Sequence, residues 1–115
     1  MHPVNYFIKK EVARLQEEKR VMAFFDVHSH SRRKCTFLYG PRFPLHSPYY
    51  LGIRAVPKLL AEESEAFRYY SCKFKNERKK QGSARISMWR DLGVNLSYTM
   101  ETSFLGFLNK ERTTL

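Results

Sequence analysis

A chain of 115 residues allows one small domain, and 43% apolar with 15% aromatic residues supplies the material for a core. The formal net charge of +10 favours acidic partners, whether nucleic acid, anionic lipid or acidic peptide tails, without choosing among them. No stretch approaches the ~20 apolar residues of a membrane span, and Met1-His2-Pro3 leads into charged sequence rather than a secretory signal, so the expected setting is the cytoplasm, without a membrane partner.

Pro3 suits the first turn of a helix. Val4, Ile8, Val12 and Leu15 then recur at helical spacing, which predicts a helix over 3–19. The run Val21-Met22-Ala23-Phe24-Phe25 reads as a strand buried on both faces, continuing to His28. A helix feeding such a strand is an α/β signature. Residues 36–39 read as a short strand or an extended segment, and 40–48 as a turn-rich loop. A short helix is expected over 59–67, entered near Pro57, and a strand over 69–74. A charged loop is expected over 76–82, and two last strands over 84–89 and 96–103. The strands at 21–28, 84–89 and 96–103 are expected to share one sheet. Cys35 and Cys72 stand far apart and belong to no Cys-x-x-Cys pair, which favours free thiols.

The chemistry concentrates in two segments. His28 closes the first strand, where parallel sheets present ligands and catalytic groups. Glu101 is an isolated carboxylate in the aromatic-flanked segment Ser97-Tyr98-Thr99-Met100-Glu101-Thr102-Ser103-Phe104. A histidine and a lone carboxylate on neighbouring strands suggest metal-assisted hydrolysis. His30 and Asp26 share the face of His28. His30 reads as lining the cleft, although two histidines so spaced can chelate a metal. Asp26 reads equally as an orienting partner for an imidazole or as a structural carboxylate. Arg85, beside an apolar segment, either points to solvent or holds an anionic side chain in a pocket. Arg32-Arg33-Lys34 and the cluster Lys73, Lys75, Arg78, Lys79, Lys80 read as solvated charge. Their aromatic neighbours Tyr69, Tyr70 and Phe74 leave a small basic nucleic-acid-binding module as a rival reading. No motif of a known nucleic-acid-binding class supports that rival.

His2-Pro3 at a helix start, DVHSHSRRK (Asp26 to Lys34), FLYG (Phe37 to Gly40), GSARISMWRDLGV (Gly82 to Val94) and SYTMETSF (Ser97 to Phe104) together resemble the zinc carboxypeptidase superfamily. The resemblance is greatest to its cytosolic carboxypeptidase branch, enzymes that trim glutamates from tubulin and other acidic tails. It implies an α/β fold with a mixed, mostly parallel sheet flanked by helices. It places residues 1–115 in the C-terminal part of the catalytic domain, as a single partial domain missing its N-terminal half. It implies one Zn2+ per complete domain, with His28 as a ligand, Glu101 as the general base, and Arg85 and His30 on the substrate side. The family takes its other two zinc ligands from an upstream His-x-x-Glu motif, and no such motif occurs in this sequence. Ser29 is a second departure, since the cytosolic branch usually carries glycine there. The implied activity is removal of C-terminal or side-chain glutamates from acidic protein tails, tubulin among them. The chain by itself is expected to be inactive and a poor zinc ligand, with a non-catalytic binder of acidic tails as the alternative.

Overall fold

The computed structural model describes residues 3–76, 83–104, 106–108 and 113–114. The order is α1 (Pro3–Glu17), β1 (Ala23–His30), β2 (Phe37–Gly40), α2 (Tyr50–Glu63), a 3-10 turn (Tyr69–Ser71), β3 (Lys73–Phe74), α3 (Ala84–Leu92) and β4 (Leu96–Ser103), followed by β5 (Phe107–Leu108) and β6 (Thr113–Thr114). The fold is α/β. Its four-stranded sheet runs β1-β4-β2-β3, with β1 parallel to β4, β2 antiparallel to β4, and β3 parallel to β2. The short strands β5 and β6 form a separate antiparallel pair.

Successive residues of a strand face opposite sides of the sheet. One side of β4 carries Tyr98 and Met100, and α2 covers it. Leu38, Phe43, Ile53, Phe67 and Tyr98 form the buried cluster there. The fit is close at Gly40, where an added Cβ would lie 3.2 Å from the Phe74 ring and 3.3 Å from Ile53. The other side carries Ser97, Thr99 and Glu101. Here α3 packs, with the Ser97 hydroxyl donating to the Arg85 carbonyl at 2.6 Å. The helix α1 lies against α3 through the Lys9–Asp91 ion pair, 2.8 Å, and through Gln16, whose side-chain amide donates to the Gly93 carbonyl.

Four expectations from sequence need correction. Residues 84–89 are not a strand but the first two-thirds of α3. Ile86 and Met88 alternate as strand residues would, yet Arg85 and Ile86 are both buried, and Gly93 at φ 70° closes a helix by donating its N–H to the Trp89 carbonyl. The shared sheet therefore contains 21–28 and 96–103 but not 84–89. Secondly, α2 begins at Tyr50 and ends at Glu63, with Pro57 inside it rather than at its start. Thirdly, 69–74 is a 3-10 turn followed by two strand residues. Fourthly, β1 is not buried on both faces. It lies at the sheet edge, and Val27, on the same side as its neighbour Met100, is nevertheless 61% exposed. An apolar run has the same composition whether one or both of its faces are covered. The charged loop expected over 76–82 lies, beyond Asn76, outside the described residues. No helix among the described residues is long and apolar enough to cross a membrane.

Candidate active site

The parallel pairing of β1 with β4 sets Asp26 opposite Thr99, His28 opposite Glu101, and His30 opposite Ser103. On the far side of β4, Phe37 of β2 faces Glu101 and Tyr39 faces Thr99. His28, Glu101 and Phe37 thus form one row across three strands, with all three side chains on the α3 side of the sheet. The row lies near the carboxyl ends of β1 and β4.

His28 stands between two carboxylates. Its Nε2 lies 2.9 Å from Asp26 Oδ2, and its Nδ1 lies 3.7 Å from Glu101 Oε1. The first distance is a hydrogen bond, and a carboxylate can only accept, so Nε2 carries the proton donated to Asp26. That leaves Nδ1 turned towards Glu101. Of the two readings open for Asp26, the structure shows the orienting one. His28 is 52% exposed at its side chain and Glu101 16%, so the imidazole faces solvent while the carboxylate is partly enclosed.

His30 is held differently. Its Nε2 meets the Cys35 carbonyl at 2.9 Å, and its ring packs edge-on to Phe37 with centroids 5.1 Å apart. Its Nδ1 is buried and meets no hydrogen-bond partner among the described residues. These contacts tie the end of β1 to the start of β2 across the 31–36 loop.

Arg85 enters from the first turn of α3 rather than from a strand. It is buried, 5% exposed, and Nη1 donates to Thr99 Oγ1 at 3.1 Å. Its guanidinium lies over the Tyr39 ring, 5.4 Å from the centroid. Thr99 precedes Glu101 by two residues on the same face, so this side chain reaches the candidate site from a helix rather than from the expected strand. Sequence reasoning passed over Thr99 and Tyr39. The signal for both was period-two spacing: Thr99 from Glu101, and Tyr39 from Phe37.

Among the described residues, no group of three or more His, Cys, Asp or Glu side chains is placed to hold a metal ion. The donor set fits a catalytic zinc only in part, because such a site takes three protein ligands and an open position. His28 Nδ1 is one suitable donor.

Comparison with known proteins bears on this row. No family model matches the chain. It is 38% identical over 105 residues to cytosolic carboxypeptidase 2 of Macaca fascicularis, covering 90% of this chain and 12% of that protein. It is 36% identical over 121 residues to cytosolic carboxypeptidase 1 of Danio rerio, covering 92% and 10%. For human cytosolic carboxypeptidase 2 the values are 37%, 90% and 11%. The chain belongs with the cytosolic carboxypeptidases. It spans only about a tenth of the length of these relatives. Its α/β sheet flanked by helices is consistent with part of a carboxypeptidase fold.

Proposed function

We propose that this chain forms one wall of a zinc-dependent carboxypeptidase centre that removes glutamates from acidic protein tails, those of tubulin among them. The observation that carries the reading is the His28–Glu101 row, in which an oriented imidazole nitrogen and a partly enclosed carboxylate lie 3.7 Å apart on neighbouring parallel strands. Hydrolysis of a peptide bond needs a base that takes a proton from the attacking water and returns it to the departing amine. Glu101 has the placement for that shuttle. Asp26 holds the His28 ring so that Nδ1 faces the Glu101 side. Arg85, fixed by Thr99 and Tyr39, is the pocket cation for an acidic side chain, a pairing that a planar guanidinium makes with two parallel hydrogen bonds. His30 shapes the rim.

Zinc, when bound, would supply a Lewis acid at the scissile carbonyl. This chain offers it His28, and the remaining ligands would come from residues outside the described set. The incomplete donor set supports the companion reading that the chain by itself binds acidic tails without cutting them.

The test uses the 115-residue chain and a complete cytosolic carboxypeptidase carrying this stretch. The chain alone should release no glutamate from a polyglutamate-tailed peptide and hold less than one zinc. In the complete enzyme, Glu101→Gln should abolish release with zinc retained, and His28→Ala should lose zinc. Near-normal rates in the glutamine variant would remove Glu101 from the role of base.

A further inference from the structure

The α3 side of the sheet carries a line of three rings, each edge-on to the next. His30 meets Phe37 at 5.1 Å between centroids, and Phe37 meets Tyr39 at 5.3 Å. A guanidinium stands over two of them. Arg85 lies over Tyr39, in the row of Thr99. Arg33 lies 5.4 Å from the centroid of Phe37, in the row of Glu101 and His28. Phe37 is buried and Arg33 is exposed, so the ring provides a fixed base and the cation stays accessible. Among the described residues no carboxylate pairs with Arg33. The sequence pattern puts Arg33 in a run of solvated charge, and the ring contact sets it apart from its neighbour Arg32.

We infer that Arg33 is a second specificity residue of this site, binding the acidic side chain that precedes the terminal glutamate of a tail. The inference rests on the proposed acidic-tail reading. Two guanidinium groups on adjacent rows, with the reacting row under one of them, match a substrate bearing carboxylates on consecutive residues. Arg85 is enclosed and suits the terminal side chain. Arg33 is at the open rim and suits the residue that continues into the rest of the tail. An arginine held over an aromatic face retains its donors for a carboxylate, because the cation–π contact uses the plane of the group and hydrogen bonding uses its edge.

The experiment titrates the isotope-labelled 115-residue chain with peptides ending Glu-Glu and Gln-Glu, following backbone amide shifts. Both peptides should move the amides of His28, Phe37 and Glu101. The Glu-Glu peptide should bind about ten-fold more tightly, the scale of one charge-assisted hydrogen-bonded pair. Arg33→Ala should bind the two peptides equally. Arg33→Met, which keeps the apolar stem over Phe37 and drops the charge, should do the same and guards against a folding defect. Arg85→Ala should weaken both peptides and keep the preference. If Arg33→Met still prefers Glu-Glu while the shifts remain on the His28–Glu101 row, the Arg33 assignment is wrong and the acidic-tail reading stands. If the shifts fall elsewhere, or no saturable shift occurs, the acidic-tail reading fails and the assignment falls with it.

Discussion

The Tyr98 hydroxyl donates to the Ile53 carbonyl at 2.8 Å, the acceptor that α2 leaves unused because residue 57 is proline. In an uninterrupted helix the N–H of residue 57 would bond to the carbonyl of residue 53. Proline has no such N–H. Tyr98 and Ile53 are fully buried, so no solvent reaches the gap, and the phenol of β4 fills it. Burial also pushes the Tyr98 phenol well above its ordinary pKa. Tyr98→Phe should therefore cost about 1–3 kcal/mol, the penalty for an unsatisfied buried acceptor. In a Pro57→Ala background the same change should cost about 1 kcal/mol less, because the alanine restores a backbone N–H that can donate to the Ile53 carbonyl. Urea midpoints of the four variants measure the coupling, and its absence would separate the hydroxyl from the proline.

The contact of α1 with α3 should be acid-sensitive. The Arg90 guanidinium first, and the Lys9 ammonium second, hold the Asp91 carboxyl far below the usual carboxylate range. A lowered folded-state pKa gives stability that is present above the unfolded value, about 3.9, and lost as pH falls below it. The side chains of the Lys9–Asp91 pair are 28% and 35% exposed, so the effect is at most about 1 kcal/mol. Asp91→Asn should lower the midpoint at pH 7 slightly, and by progressively less as the pH falls from about 3.9 towards 2. An equal loss at both pH values would point to the Ser87 hydrogen bond to Asp91 instead.

The buried Cys35 thiol and the half-buried Cys72 thiol should both react slowly in the folded chain. Cys35 and Cys72 are both free. Burial raises the Cys72 pKa from 9.0 to about 11, outweighing the Leu38 N–H that donates to its sulfur at 3.3 Å. A raised folded-state pKa leaves stability intact below the unfolded value and removes it as pH climbs towards the folded one. The loss should fall between pH 9.0 and about 11 and vanish in Cys72→Ala. Thiol reagent at pH 8 should label both cysteines much faster after denaturant is added, and equally rapid native labelling of Cys35 would contradict its burial.

The edge at β1 should drive self-association. Its outer side has no strand partner among the described residues, and Phe25, Val27 and Met22 are exposed along it. Uncovered apolar edge strands pair with other chains, and a lysine there opposes pairing. Val27→Lys should shift sedimentation towards monomer with little change in unfolding midpoint. Unchanged association would place the contact elsewhere, with the exposed Val4, Phe7 and Ile8 of α1 the next candidates.

Much of this arrangement is legible in local pattern. The alternation of Tyr98 and Met100 with Ser97, Thr99 and Glu101 marks β4, and the expected bounds 96–103 match those observed. Helical spacing after Pro3 marks α1. Ending β1 at His28 falls two residues short, because the polar Ser29 and His30 carry no apolar signal although they continue the ladder to Thr102 and Ser103. Pro57 misleads because proline opens helices more readily than it sits inside them. Here the Tyr98 hydroxyl from another strand meets the freed carbonyl, and nothing in 50–63 announces that distant donor.

The sequence by itself determined the element types with strong periodicity, the charge, and the residues that could do chemistry, because each depends on side chains a few positions apart. Tertiary structure alone decided the register that sets His28 beside Glu101 and the choice of Asp26 as the partner of Nε2. It also turned 84–92 into a helix, bringing Arg85 to Thr99, and placed Arg33 over Phe37. The register and the Arg85 contact join segments distant in the chain, and the other two depend on how β1 and the loop after it are seated against β2. A one-residue slip of β1 against β4 would leave every local pattern intact and turn His28 to the opposite face from Glu101.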